Sequence, residues 1–153
     1  MSEPAAVYYD KPLPRLEGLS GEFYGWCKQR ELRFQRCKDC GSFRHVPRSM
    51  CPECNSMDWE WGRSSGRGTV YTWTVVERAL HPAFMKATPL APVVVEMEEG
   101  VRLLSTLVDC APQELAIGMP VEVVFEDVNE EISLPKFRPA LGSASDAAAG
   151  ARS

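Results

Sequence analysis

The chain has 153 residues, 44% of them hydrophobic and 25% charged, with a formal net charge of −4. That suits one ordinary soluble domain or two small ones. No apolar run approaches the ~18 residues of a membrane helix, and the start MSEPAAVYYDKP lacks the basic-then-apolar pattern of an export signal, so a cytoplasmic protein with no membrane partner is expected.

Charge is unevenly spread. Residues 28–48 carry seven basic residues against Glu31 and Asp39, a net of +5. Residues 94–131 carry ten acids against Arg102 alone, a net of −9. The basic end suits phosphates, whereas the acidic half would repel a nucleic-acid backbone.

Residues 1–17 contain Pro4, Pro12 and Pro14 with no apolar period, and are expected to form an extended arm. Ser20 fits an N-cap and Glu22 a first helical turn. Phe23, Trp26 and Cys27 then fall on one helical face at i, i+3 and i+4. The aromatic residues Phe23, Tyr24 and Trp26 can pack against the next element or meet a partner protein. From Glu31 to Arg36 the pattern alternates as a short strand, and Phe43 to Val46 reads as its return.

The segment Cys37 to Cys54 reads CKDCGSFRHVPRSMCPEC, two Cys-x2-Cys pairs separated by ten residues. Each pair turns two sulfurs toward one point, and two pairs close a tetrahedron. Cys37, Cys40, Cys51 and Cys54 are therefore expected to hold structural zinc, with rubredoxin-like iron as the rival. Four sulfurs leave no open position for a substrate. Gly41 follows the first pair, where the turn favours positive φ, and Pro52 stiffens the second. His45 lies between the pairs but is not needed as a ligand. Cys27 and Cys110 read as small hydrophobes. Met57 to Trp61 leaves the second pair extended, with Trp59 and Trp61 on one face.

Ser64 to Gly68 reads as a turn or hinge. Thr69 to Arg78 is rich in β-branched and aromatic residues, a long strand with Val70, Thr72, Thr74 and Val76 on one side and Tyr71, Trp73 and Val75 on the other. Residues 79–92, with three prolines, His81 and Phe84, read as a long loop. Val93 to Met97 and Val101 to Asp109 form a hairpin about Glu99-Gly100. A turn over Pro112 to Pro120 precedes strands at Val121 to Val128 and near Ile132 to Phe137. Residues 142–153, GSASDAAAGARS, read as low complexity and disordered.

The fold expected is mainly β: an N-terminal helix plus a rubredoxin-like zinc ribbon, followed by a five-stranded OB-fold barrel. The expected bounds are an arm over 1–17, helix and ribbon over 18–63, barrel over 64–140 and a tail over 141–153. No P-loop, Gly-x-Ser-x-Gly or dinucleotide fingerprint occurs. The glutamates at 96, 98 and 99 read as exposed hairpin charges, and His81 as loop packing. A binding module is favoured over a self-sufficient enzyme. A single-stranded nucleic-acid binder using Tyr71 and Trp73 as platforms is one alternative, and a rubredoxin-like electron carrier another.

The succession of a helix, LRFQRCKDCG, PRSMCPEC and SSGRGTVYTWTVVER resembles the acyl-CoA-associated zinc-ribbon/OB-fold proteins, the domain-of-unknown-function 35 family. PVVVEMEEGVRLLSTLVD, LAIGMPVEVVFEDV and LPKFRPA resemble its barrel strands and closing segment, so the likeness spans residues 18–140. The resemblance implies a subunit of thiolase-fold enzyme complexes, some paired with hydratases, that thiolyse or retro-aldol cleave acyl-CoA in steroid or aromatic-compound degradation. The partner would carry the catalytic residues in a hetero-oligomer, and a coenzyme A thioester would be the ligand. Only the four cysteines carry over by position, as metal ligands. Arg67 and Phe84 are expected contacts for CoA or the partner, and Phe23, Tyr24 and Trp26 for the partner interface.

Overall fold

A computed structural model of the chain describes residues 10–140. The first nine residues of the expected arm, with Tyr8 and Tyr9, and the expected tail over 141–153 lie outside the described residues.

Helix α1 spans Gly18–Lys28 and buries Phe23 and Cys27. Its cap lies three residues before the expected Ser20: Glu17 is the N-cap, its side chain makes no capping bond, and Gly18 enters at φ 56°. Gly21 is pressed against this entry, where a Cβ would stand 2.7 Å from the Leu16 carbonyl oxygen. Lys28 closes the last turn, where a cation complements the exposed carbonyls.

Strands β1 (Arg33–Cys37), β2 (Phe43–Arg44) and β3 (Trp59–Arg63) form an antiparallel sheet in the order β2-β1-β3. Its hydrophobic filling is thin, as expected for so small a ribbon. Phe34 and Leu32 are buried, and they join a cluster that continues through Phe23 and Cys27 of the helix into the second sheet.

The second sheet is five-stranded and antiparallel, comprising β4 (Arg67–Trp73), β5 (Pro92–Met97), β6 (Arg102–Thr106), β7 (Pro120–Asp127) and β8 (Ser133–Pro139). The order is β6-β5-β4-β7-β8. It curls until its edges approach: Val108 N–H donates to the Phe137 carbonyl at 2.7 Å, and the Ser105 hydroxyl to the Pro135 carbonyl at 2.7 Å. Val70, Val93, Val95, Met97, Leu103, Val121 and Phe137 fill the interior. This is the expected helix, ribbon and OB-type half-barrel.

Strand β4 departs from its expected alternation. It ends at Trp73, with only an isolated bridge at Val76 to Leu90 beyond it. Its register against β5 shifts after Val70: Val70 faces Val95, Thr72 faces Val94 and Trp73 faces Val93. Tyr71 is the extra residue, so alternation breaks there. Val70 and Trp73, expected on opposite sides, both turn toward the core. Tyr71 stays outside, with the Arg102 guanidinium 3.8 Å from its ring centroid. The two proposed nucleobase platforms thus do not share a face. The 79–92 connection contains a short 3-10 helix, Pro82–Ala87, whose first turn is capped by His81 Nδ1 accepting from Ala83 N–H.

Candidate metal centre and adjoining groove

The two cysteine pairs fold into nearly identical knuckles. In the first, Cys37 N–H donates to the Ser42 carbonyl at 2.9 Å and Gly41 N–H to the Cys37 carbonyl at 3.0 Å. In the second, Cys51 N–H donates to the Ser56 carbonyl at 2.8 Å and Asn55 N–H to the Cys51 carbonyl at 2.9 Å. Gly41 has φ 76° and Asn55 φ 62°. Asn tolerates the left-handed region best after glycine, so the second turn meets the same backbone demand without a glycine.

The four Sγ atoms lie within 4.8 Å of one another. Cys37 to Cys54 and Cys40 to Cys51 are each 3.6 Å apart. A tetrahedral zinc with ~2.3 Å bonds to sulfur needs sulfur–sulfur edges of about 3.8 Å, whereas a disulfide would need about 2.05 Å. The donor set and its spacing fit a closed four-sulfur zinc site. Cys37 and Cys51 are buried while Cys40 and Cys54 sit at the surface. Ser42, its side chain first and its backbone second, pulls the Cys40 thiol down to about 6, whereas Cys54, despite the Ser56 backbone, is pushed up to about 12 by desolvation and the neighbouring sulfurs. When bound, zinc would hold the two knuckles together. Cys27 does not join them: it is fully buried, and burial pushes its thiol up to about 12.

His45 does not join the cluster. Its ring packs 5.0 Å from Phe23 and 5.5 Å from Phe34, centroid to centroid, with Nδ1 buried and unpartnered. Burial lowers its pKa to about 4, so it is neutral at physiological pH.

His45 also opens onto a groove of about 540 Å³ between ribbon and barrel. Phe23 and Tyr24 of α1, Val46 and Pro47 of the following loop, Leu104 of β6 and Lys136 of β8 wall it. Lys136 Nζ donates to Thr106 Oγ1 at 3.0 Å, and burial lowers its pKa. Lys11 lies close enough to add to that depression, and its ammonium is 5.9 Å from the Phe84 ring centroid. No sequence pattern announced this groove. It forms where residues from five separate stretches converge.

The expected contact residues scatter. Arg67 borders a different concavity, of about 560 Å³, shared with Glu96, Glu98 and Glu122. Phe23 is 4% exposed and belongs to this chain's own core. Trp26 is half-buried, with the Arg33 guanidinium 4.1 Å from its ring, and lies beside Trp61, whose indole N–H donates to Glu22 at 2.9 Å. Trp59 and Trp61 make the expected same-face pair, edge to face at 5.3 Å.

Family profiles agree with this layout. Residues 27–60 match the profile described as ChsH2, rubredoxin-like zinc ribbon domain, and residues 61–126 that described as ChsH2, C-terminal OB-fold domain. A DUF35 domain-containing scaffold protein of Methanocaldococcus jannaschii is 40% identical over 97 residues, 63% of this chain and 68% of that protein. That of Pyrococcus furiosus is 39% identical, covering 71% and 82%. The chain belongs to the DUF35 family.

This DUF35 chain is also similar to parts of larger proteins. A probable enoyl-CoA hydratase alpha subunit of Thermomonospora curvata is 39% identical over 131 residues, and this chain spans 86% of its own length but only 40% of that protein. Among solved structures, the Ltp2-ChsH2(DUF35) aldolase superposes with a TM-score of 0.76 at 39% identity, over 84% of this chain and 100% of that chain. A DUF35 protein of unknown function from Sulfolobus solfataricus, 14% identical with a TM-score of 0.55, shares the fold over 80% of this chain and 85% of that one. Among the described residues no helix is long and apolar enough to cross a membrane.

Proposed function

We propose that this DUF35 chain is the zinc-containing accessory subunit of a thiolase-fold enzyme complex that cleaves acyl-CoA by retro-aldol reaction or thiolysis. The observation that carries this reading is the 39% identity over the whole DUF35 chain of the Ltp2-ChsH2(DUF35) aldolase. A second relative shares the acyl-CoA substrate class but carries out a different reaction, hydration: the 3-oxo-4,17-pregnadiene-20-carboxyl-CoA hydratase alpha subunit of Mycobacterium tuberculosis is 39% identical over 69% of this chain and 33% of that protein. Steroid degradation is the setting the pregnadiene name favours, and aromatic-compound degradation rests on the family resemblance alone. The partner would supply the catalytic groups, and this chain would shape the acyl-CoA path.

Two surfaces suit those roles. Trp26 on α1, continued by Trp61 and Trp59 of β3, forms a half-exposed aromatic face edged by Arg33, the composition of an interface core, while Tyr24 lies on the groove side of the same helix. For the coenzyme A thioester, the groove combines an apolar wall with Arg102 and Lys136, each of which pairs with one glutamate outside the groove lining, Glu96 at 3.2 Å and Glu126 at 3.9 Å. Arg67 is the less suitable of the two expected contacts, because three glutamates share its concavity and oppose phosphate.

Co-expression with an Ltp2-type thiolase-fold enzyme tests the reading. A co-eluting hetero-oligomer is expected, weakened by combined Tyr24→Ala and Trp26→Ala with zinc retained. The isolated chain should show no acyl-CoA turnover, and Lys136→Glu should lower the complex's affinity for CoA more than Arg67→Ala does. The reading fails if the two proteins elute apart and the enzyme keeps full activity without this chain.

A further inference from the structure

Arg44 is 6% exposed and its cross-strand neighbour Gln35 is fully buried. Gln35 Oε1 accepts from Arg44 Nε at 3.0 Å and from the Arg48 backbone N–H at 2.7 Å. Arg44 Nη2 donates to the Arg48 carbonyl at 2.9 Å. Every acceptor is neutral. Arg44 Nη1 and Gln35 Nε2 are buried without partners, and among the described residues no carboxylate pairs with Arg44. A buried guanidinium without a counter-charge is strongly disfavoured.

The missing charge lies on the same face of the ribbon. Gln35 and Cys37 are two residues apart on β1, so their side chains project to one side. Trp59 is the cross-strand partner of Cys37, and the Arg44 guanidinium stands 5.9 Å from the Trp59 ring centroid. Arg44, Gln35 and Cys37 therefore share one face of the sheet, with the Trp59 ring beside the guanidinium. Four thiolates around one divalent ion leave a net charge of about −2.

We propose that Arg44 is the buried counter-charge of the tetrathiolate metal centre, and that Gln35 is the clamp that orients it. The same Gln35 oxygen ties the Arg48 backbone to β1, so it also sets the spacing between the strand carrying Cys37 and the loop leading to Cys51. Both are positioning residues that act on the metal through charge and geometry rather than by ligation. The other nearby cations are placed differently. Arg36 is exposed, with its guanidinium 5.6 Å from the Phe43 ring and its Nη2 4.0 Å from where a Cβ on Gly41 would stand, so it reaches the first knuckle from solvent, and Lys38 pairs with Asp58 at 3.5 Å on the surface.

The test is zinc affinity of the full chain, measured by competition with a chromophoric chelator. Arg44→Gln should weaken zinc binding about 10–100-fold, the usual cost of losing an outer-shell partner. Arg44→Lys should recover most of it, and Arg36→Gln should leave it within about twofold, since a solvated charge contributes little. Cobalt-loaded Arg44→Gln should keep the tetrahedral visible spectrum of the native protein, showing that four sulfurs still hold the ion. Native zinc affinity in Arg44→Gln would overturn the proposal, as would equal losses in the Gln and Lys variants. If Arg44→Gln does not fold with metal bound, Arg44→Lys decides alone: near-native affinity supports the charge role, and a loss like that of a cysteine variant refutes it.

Discussion

Arg30 and Asp127, 97 residues apart, meet through a 2.5 Å hydrogen bond between the guanidinium Nη2 and a carboxylate oxygen. Arg30 sits in the turn after the helix with φ 64°, and its Nη1 also donates to the Phe125 carbonyl at 3.3 Å. The Ser133 hydroxyl donates to the other oxygen of the same carboxylate. One acidic group thus latches the helix–ribbon turn to both closing strands of the barrel.

The latch sets an acid limit. The Ser133 hydroxyl first, and Arg30 second, hold the Asp127 carboxyl below its ordinary value of 3.8. A carboxyl depressed in the folded state binds its proton later than in the unfolded chain. Its contribution is therefore complete above 3.8 and is lost as pH falls through the folded value. Asp127→Asn should lower the melting temperature at neutral pH, and the difference from wild type should shrink in strong acid. An equal difference at both ends of the titration would refute the latch.

Metal removal should act unevenly. One zinc per chain is expected by elemental analysis, and Cys40→Ser or a strong chelator should release it. Structural zinc contributes on the order of 10–16 kcal/mol to the folding of small ribbons, and little buried apolar surface replaces it in the β1–β3 sheet. The barrel core at Val93, Val95, Val121 and Phe137 needs no metal. Hydrogen exchange on the stripped protein should show rapid exchange in β1 and β3 and persistent protection in β5 and β7. Uniform loss of protection across both sheets would show that barrel and ribbon fold as one unit.

The cysteine spacing made the metal centre legible because four ligands lie in two local turns of one short segment. The barrel strands were legible where alternation was regular, as in Val93 to Met97. Strand β4 defeated the same reasoning, since nothing in TVYTWTVVER marks Tyr71 as the extra residue; the bulge is imposed by pairing with β5. The helix start also shifted, from Ser20 to Glu17, because Gly18 supplies the required backbone turn without a side-chain cap. The groove and the Gln35–Arg44 pair were invisible for a different reason. Their members are joined only by tertiary packing, and a buried arginine reads in sequence like any member of a basic run.

Gly68 offers a direct test of the barrel register. A Cβ there would stand 2.5 Å from the Glu96 carbonyl oxygen and 2.8 Å from Val95 Cγ1. Backbone cannot retreat as a flexible side chain would, so Gly68→Ala must separate β4 from β5. Overpacking of this kind costs about 1–3 kcal/mol. Chemical denaturation should show that loss with zinc content unchanged. A variant as stable as wild type would mean that the β4–β5 pairing differs from the one described.

His45 should give the chain a second and milder pH dependence. Its ring is sandwiched by Phe23 and Phe34, and burial lowers its pKa from 6.5 to about 4. The groove beside it is lined by Arg102 and Lys136, which pair with Glu96 at 3.2 Å and Glu126 at 3.9 Å, and by the Tyr24 ring from the helix. Between the two pKa values the unfolded chain binds a proton that the folded chain refuses. Stability should therefore be full above pH 6.5 and fall as pH drops toward 4, by about 3 kcal/mol in all. Zinc loss through thiol protonation adds its own slope in acid, so the informative quantity is a difference between variants at matched zinc content. His45→Phe keeps an aromatic ring between Phe23 and Phe34 and removes the unpartnered Nδ1. Its stability relative to wild type should rise steadily from pH 6.5 to 4, while the Asp127→Asn difference stays flat over most of that interval. Parallel stability curves for wild type and His45→Phe across this range would show that His45 is solvated or finds a partner, and that the ribbon–barrel junction is more open than described here.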